Sequence, residues 1–385
     1  MSEGYIIFAS QREYVANEFA LFTCGPVGAE TGKYFQDIFG DMYVIGRATT
    51  KNNLDIGKTT PIQFKRFQLV TFRLRSKHVV ADFLRAIFIL WPIIKGCKGA
   101  VVRCGGVGTL VGIICLIQRK PLGLEIGGCV FNSLWNYGGI FGKIYAPVSY
   151  LLRRFLIKHA NRVQFVTQKY LQDRYLGSTS NIKTIGISNV NIKNVRNAEN
   201  QVRKFQNKKI VISTIGSFSG NFKGHDLAVR FIARLAENGF DVELRILGTG
   251  DQRSIEALAE KLGVASRVRL YPAVQPVEVK QWLLDSTVYI QFSRREGISR
   301  ATLEAMSCAI PVLGSNVGGT SEIVSARYLY DVGDLDTLEI KFRNLISDRH
   351  LYQQACEQSV FVASKFVSGR LKTIRKEFWA GFPEF

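Results

Sequence analysis

Three residues of this 385-residue chain have the types and spacing to do chemistry together: Lys223, Glu296 and Glu304. The two acids lie eight positions apart in SRREGISRATLEAMS, directly after a strand-like run, VYIQFS. Open α/β sheets bind ligands at the carboxyl ends of their strands, so Glu296, in the strand-to-helix loop, is expected to project from that edge. Glu304 falls inside the following helix and can reach inward. A carboxylate accepts hydrogen bonds on both oxygens, which suits paired sugar hydroxyls. Between the acids, the N–H groups of Gly297, Ile298 and Ser299 read as a helix start, whose open donors and positive dipole end favour a phosphate. Lys223 ends a Gly/Ser loop, IGSFSGNFKGHD, after another strand-like run. An ammonium there can neutralise a diphosphate, an effect on the order of several kcal/mol in a dry, preorganised site.

The elements that must position these residues are legible from Lys209 onward. Short apolar runs (IVISTIG, VELRILG, VRLYP, VYIQFS, IPVLGS) alternate with amphipathic stretches of helical length, a βα repeat. Gly239 and Gly263 fall just past the last periodic apolar residue of two such stretches, where helices stop. The pattern predicts a parallel sheet covered on both faces. The first half alternates less cleanly: YIIFAS, MYVIGRA, AVVRCGG with a small-residue helix, LGLEIGG, an amphipathic stretch from Pro147, then VQFVTQKYLQDRY. It reads as a second α/β domain. Residues 189–209 are rich in Asn, Lys and Arg, the composition of an exposed connector. The expected fold is therefore α/β, with two Rossmann-like domains: 1–190, 191–366, and a last segment 367–385.

Composition narrows the class. A hydrophobic content of 46% can fill two cores, and excludes a disordered or fibrous chain. The seven cysteines (24, 97, 104, 115, 129, 308, 356) are odd in number and show no CxxC, so neither a disulfide framework nor structural zinc is indicated. The four histidines lie far apart, and no metal site is expected. The apolar runs 86–94 and 107–117 are too short to span a bilayer, and no signal peptide is read at the start. A cytoplasmic protein is expected. Residues 1–190 carry 24 Lys and Arg against 10 Asp and Glu, whereas residues 191–385 carry 27 against 21. The basic first half should attract something anionic: nucleic acid, a phosphorylated substrate or a membrane face.

Four motifs in this order, KG after the Gly/Ser loop, LGTG, EGISRATLEAM and PVLGSNVGGTSEIV, resemble glycosyltransferase family four, of GT-B fold, over residues 210–330. A weaker resemblance to polysaccharide-assembly members covers GPVG, KPLGLEIGG and VTQKYLQDRY. The resemblance implies two Rossmann-like domains facing each other across a cleft, with the last helix crossing back to the first domain. It implies a nucleotide diphosphate sugar held by Gly216, Ser217, Lys223, Gly248, Glu296, Gly297, Ile298, Ser299 and Glu304. Of these, Lys223 would take the diphosphate, Glu296 the donor sugar and Glu304 the ribose. Transfer would retain anomeric configuration, by front-face attack, and no metal or other cofactor would be needed. The acceptor would be a saccharide or lipid-linked saccharide of a bacterial surface polysaccharide (capsule, O-antigen or exopolysaccharide). Two departures are visible. The family's Arg shortly before the Lys is missing from Ser217 to Phe222, leaving Arg294, Arg295 and Arg300 as candidates. Its N-terminal-domain His is also missing, and the comparable loop, EIGGCVFN, offers Glu125 and Gly127 on the acceptor side.

Other readings stand beside this one. Singly, Lys223 is a solvated lysine at a helix start and Glu304 an ordinary helix glutamate; their joint placement makes the site. CGGVGTLVG, with Glu125 downstream, resembles a nicotinamide-binding fingerprint, but its spacing is GxGxxxG rather than GxGxxG. Gly318 and Gly319 read as a turn. From Pro147 to Arg162, Val148, Leu151, Leu152, Phe155, Leu156 and Ala160 share one helical face, with Arg153, Arg154, Lys158 and Arg162 mostly elsewhere. Such a helix either packs on a core or lies on an anionic membrane, which would place the protein on the cytoplasmic face of the inner membrane. A sugar-nucleotide epimerase and a basic nucleic-acid-binding protein are the alternative functions; no nucleic-acid motif accompanies the charge.

Overall fold

The computed structural model describes residues 4–16, 21–24, 34–48, 59–62, 66–71, 79–137, 139–177, 182–206 and 209–384. GPVG, residues 25–28, lies outside them. The chain forms two compact units, one of Met1–Ile187 with Lys372–Phe385 and one of Ser188–Leu371.

The first unit holds a nine-stranded sheet. Its strands are β1 (Tyr5–Ala16), β2 (Leu21–Cys24), β3 (Met42–Ala48), β4 (Thr59–Ile62), β5 (Arg66–Val70), β6 (Cys97–Arg103), β7 (Leu122–Ile126), β8 (Arg162–Phe165) and β9 (Lys183–Gly186). The order β5-β3-β1-β6-β7-β8-β9 is parallel throughout, and the end of β1 also pairs antiparallel with β2, and β2 with β4. Side chains alternate along a strand, so β1 sends Ile7 and Ala9 to one face and Phe8 to the other. The first face is covered by α1 (Val79–Lys95), α2 (Gly106–Ile117) and α4 (Gly139–Lys158), which follows α3 (Val130–Tyr137) and precedes α5 (Tyr170–Leu176). On the second face Phe8, Phe35, Met42 and Val101 gather round Trp379 from the returning chain end.

Two expectations change here. The helix expected from Pro147 begins at Gly139, with Pro147 inside it. Its supposed single apolar face is two: Leu156 and Ala160 are buried, while Val148, Leu151 and Phe155 are exposed. Arg153, read as mostly off the apolar face, is itself buried on the inner side, with Nη1 3.4 Å from the Gly128 carbonyl. No described helix is long and apolar enough to cross a membrane.

The second unit is a parallel sheet in the order β12-β11-β10-β13-β14-β15, with β10 at Ile210–Ile215, β11 at Val242–Gly248, β12 at Val268–Pro272, β13 at Val288–Gln291, β14 at Val312–Ser315 and β15 at Leu329–Tyr330. Its helices are α6 (Glu199–Val202), α7 (His225–Glu237), α8 (Arg253–Lys261), α9 (Pro276–Leu283), α10 (Arg300–Ser307), α11 (Leu335–Ser347) and α12 (Arg349–Ser364); α13 (Ser368–Trp379) leads back to the first unit. Gly239 and Gly263 sit beyond α7 and α8 at φ of 80° and 70°, the left-handed conformation that ends a helix. Residues 189–209 are more than an exposed connector: Ile192, Ala198 and Val202 are buried, and Gln201 donates to the Ser286 carbonyl at 2.7 Å. The polar composition hid the few apolar residues that pin the segment down.

Candidate functional site

In the second unit the strand order reverses at β10. From there β11 and β12 extend one way, and β13, β14 and β15 the other. The loops after β10 and β13 therefore leave the carboxyl edge as neighbours, at the switch point where parallel sheets take ligands. Lys223 ends the first loop and Glu296 lies in the second. Lys223 Nζ is 2.5 Å from Glu296 Oε1, and Ser293 Oγ donates to the same oxygen at 2.8 Å. The lysine side chain keeps 21% and the glutamate 10% of its surface exposed, so the pair is sheltered yet reachable.

Several close approaches hold these loops, and glycine permits each one. A Cβ at Gly248 would stand 1.9 Å from the Gly216 carbonyl oxygen, and one at Gly216 would strike the Lys223 side chain at 2.6 Å. Gly224 turns the chain at φ 68°, where a Cβ would meet the Phe292 carbonyl at 2.0 Å. The Gly318–Gly319 turn does more than reverse the chain. Gly319 donates to the Gly297 carbonyl at 2.8 Å, and Gly318 lies so close that a Cβ would be 1.9 Å from the Glu296 carbonyl. Arg294 joins the two loops, making two 2.7 Å bonds to Asp226 and another to the Asn221 carbonyl. Burial raises the Asp226 pKa, but Arg294 outweighs it and holds the carboxyl below its ordinary range. Ser217 Oγ donates to the Thr249 carbonyl at 3.2 Å, and His225 Nε2 lies 3.2 Å from the Gly216 carbonyl.

Behind the loops, fully buried Tyr289 accepts from Ile215 N–H at 3.3 Å. Its phenol pKa is raised by burial first, then by the charges of Glu296 and Glu304, which places both acids within electrostatic range of one hydroxyl. Ser299 is the N-cap of α10 and accepts from Thr302 N–H at 3.2 Å. The helix thus begins at Arg300, so Gly297 and Ile298 precede it as loop, and Ser299 spends its hydroxyl on the cap. The expected helix-start donors move one turn onward because a serine in extended backbone, φ −71° and ψ 113°, makes the better cap.

Of the three arginines weighed as a second cation, Arg294 is committed to Asp226, and Arg300 is exposed at the helix start. Arg295 lies over the Phe222 ring at 5.7 Å, the distance at which Lys223 Nζ also approaches that ring. Ser293, Asp226, Tyr289 and His225 were not singled out from sequence. Asp226 and Arg294 are 68 positions apart, and no local pattern links them.

In the first unit, Glu125 has no exposed surface and receives Arg103 Nη2 at 2.7 Å and Nε at 3.1 Å. Arg375 is buried nearby; burial lowers its pKa while Glu125 opposes the shift. Glu125 therefore balances half-buried Arg103 and buried Arg375, and of the two acceptor-side residues only Gly127, exposed just past the strand, offers surface. Among the described residues, no three His, Cys, Asp or Glu side chains cluster as a metal site. Six cysteines, all except Cys24, are seen as free thiols.

Comparison with known proteins now bears on this geometry. The pattern of the glycosyl transferases group 1 family matches residues 195–359. Protein CapJ of Staphylococcus aureus is 30% identical over 340 residues, 86% of this chain and 83% of CapJ. The chain belongs to the group 1 glycosyl transferases. A shorter match, 30% over 121 residues, 31% of this chain and 20% of the other, is to the Vi polysaccharide biosynthesis protein VipC/TviE of Salmonella typhi. Among solved structures, Anabaena HepE in complex with UDP and glucose superposes with a TM-score of 0.68 at 15% identity, covering 99% of this chain and 100% of HepE. The fold is GT-B, and the group 1 glycosyl transferase is an enzyme.

Proposed function

We propose that this group 1 glycosyl transferase is a retaining enzyme of the family-four type. It moves a sugar from a nucleotide diphosphate sugar to a saccharide or lipid-linked saccharide of a surface polysaccharide. The observation that carries the reading is the Lys223–Glu296 pair at the switch point of the second sheet. In use, the donor diphosphate takes Lys223 from Glu296, and the freed carboxylate accepts from the sugar hydroxyls. Glu304 takes the ribose, and the first turn of α10 faces the phosphates with its N–H groups. When the anomeric C–O bond breaks, its electrons pass to the leaving phosphate oxygen. Lys223, with Arg295 as second cation, steadies that charge without a metal ion. The acceptor hydroxyl attacks from the same face and gives its proton to the leaving oxygen.

Support for the donor class comes from HepE, which holds UDP and glucose, and for the polysaccharide setting from VipC/TviE. The acceptor belongs to the basic first unit in this reading. The enzyme works in the cytoplasm, at the inner membrane, where a lipid-linked acceptor resides and where α4 makes peripheral contact. The test incubates the protein with α-linked UDP- and GDP-sugars and polyprenyl-diphosphate-linked saccharides, and follows products by NMR. Nucleoside diphosphate and a new α-glycosidic bond are expected. A β-linkage would overturn retention; an epimerised donor formed without acceptor would replace the reading with an epimerase.

A further inference from the structure

The helical layer on the first unit's sheet has an apolar outer side as well as an apolar inner one. Helix α2 packs against both α1 and α4. All three bury residues in one core, Leu90 from α1, Val111 from α2 and Leu156 from α4 among them, so their opposite sides share one outward direction. On that side Leu84, Phe88 and Trp91 of α1 and Ile144, Leu151 and Phe155 of α4 are all exposed, Phe88 by 79%. Both sets recur at helical spacing, so each is a continuous stripe along its helix. A soluble surface scatters such residues singly, whereas stripes on neighbouring helices mark something that covers them.

Charge identifies the covering. The sequences of α1 to α4 contain one acid, Asp82, and it is buried. Exposed Arg85, Lys143 and Arg154 each adjoin a stripe residue, and Lys158 ends α4. A second copy of this chain would bring like charges together with no acid to answer them. A bilayer with anionic headgroups answers both features, since phosphates take the cations while the acyl boundary takes the apolar chains.

We infer that the outer sides of α1 and α4, bridged by α2, form one plane that docks on an anionic phospholipid bilayer. This deepens the peripheral-contact reading above, which invoked α4 alone, and it uses no residue of the donor site. The plane lays the two helices in the headgroup region. Cations flank the stripes and release with salt.

Full-length protein sedimented with vesicles of equimolar phosphatidylglycerol and phosphatidylcholine is expected to bind, with binding lost at high salt and on phosphatidylcholine alone. A Phe88→Ser/Leu151→Ser/Phe155→Ser variant and a Lys143→Gln/Arg154→Gln/Lys158→Gln variant should each bind at least about tenfold more weakly. Their melting temperature and nucleotide-sugar binding should stay unchanged, which separates this surface from the donor reading. If the serine variant melts early, brominated lipid decides instead, because it should quench wild-type fluorescence and quench Trp91→Phe less. Absence of wild-type binding, or equal binding by both variants, overturns the inference. So does a wild-type dimer in sedimentation velocity that the serine variant converts to monomer.

Discussion

Glu296 neutralises Lys223, so the ammonium is held in place by a carboxylate at 2.5 Å. Two unit charges about 4 Å apart attract by roughly 4 kcal/mol at an effective dielectric near 20. A diphosphate, with more than one negative charge, can displace a single carboxylate from that cation. Neighbouring His225 shows how tightly the loop is packed. It is buried, and burial pushes its pKa down to about 4 against the hydrogen bond to Gly216, which favours the charged form. In the unfolded chain the imidazole takes a proton near pH 6.5. Between about 6.5 and 4 the unfolded state therefore binds a proton that the folded state refuses, and stability falls as pH falls. Urea titrations at pH 7 and pH 5 should show His225→Gln losing roughly 2 kcal/mol less than wild type over that interval. Equal losses would mean that His225 is not the buried neutral base described. The residues that keep this geometry were only partly legible. Lys223, Glu296 and Glu304 stand in motifs, whereas Asp226 and Arg294 meet only through the fold.

At the scale of elements, the second unit was readable because strand runs, helical periods and glycine stops agreed along most of it. Strands β10, β11, β13 and β14 are mostly buried runs, and Gly239 and Gly263 lie just past the ends of α7 and α8. The first unit was harder for a physical reason. Helix α1 buries Ala86, Leu90 and Ile94 on one side and exposes Leu84, Phe88 and Trp91 on the other, so no polar face marks the helical period. Helix α4 merges in the same way, with inward Leu156 and outward Leu151 reading as one face. Glycine placement at the site carries its own consequence. Gly318 has φ 58° and sits where any Cβ would be 1.9 Å from the Glu296 carbonyl. Gly318→Ala should therefore shift the Glu296 loop. Calorimetric titration is expected to show nucleotide-sugar binding at least about tenfold weaker, with only a few degrees lost in melting temperature. Unchanged binding would show that the turn does not set Glu296.

Across the whole molecule, both ends of the chain belong to the first unit. The last helix brings Trp379 into its sheet with no exposed surface, and its indole N–H donates to Gln164 at 3.0 Å. Gly123 makes the seat, since a Cβ there would meet the indole at 2.4 Å. The seat of Phe378 and Trp379 comes from residues more than 200 positions away, which no local pattern in the last helix could show. Buried Arg375 on the same helix lies near Glu125, so an acid that looked available from its loop in sequence proves enclosed. The residues proposed to hold the donor all lie in the second unit, so donor binding can be measured without an acceptor. Isothermal titration of the full chain with UDP- and GDP-sugars in EDTA, repeated on Lys223→Ala, tests the central claim most directly. Wild type should bind at least one of these donors, and Lys223→Ala should bind it about a hundredfold more weakly, the scale of losing one charged contact to a diphosphate. Equal affinity in wild type and Lys223→Ala, or no binding to wild type, would contradict the assignment.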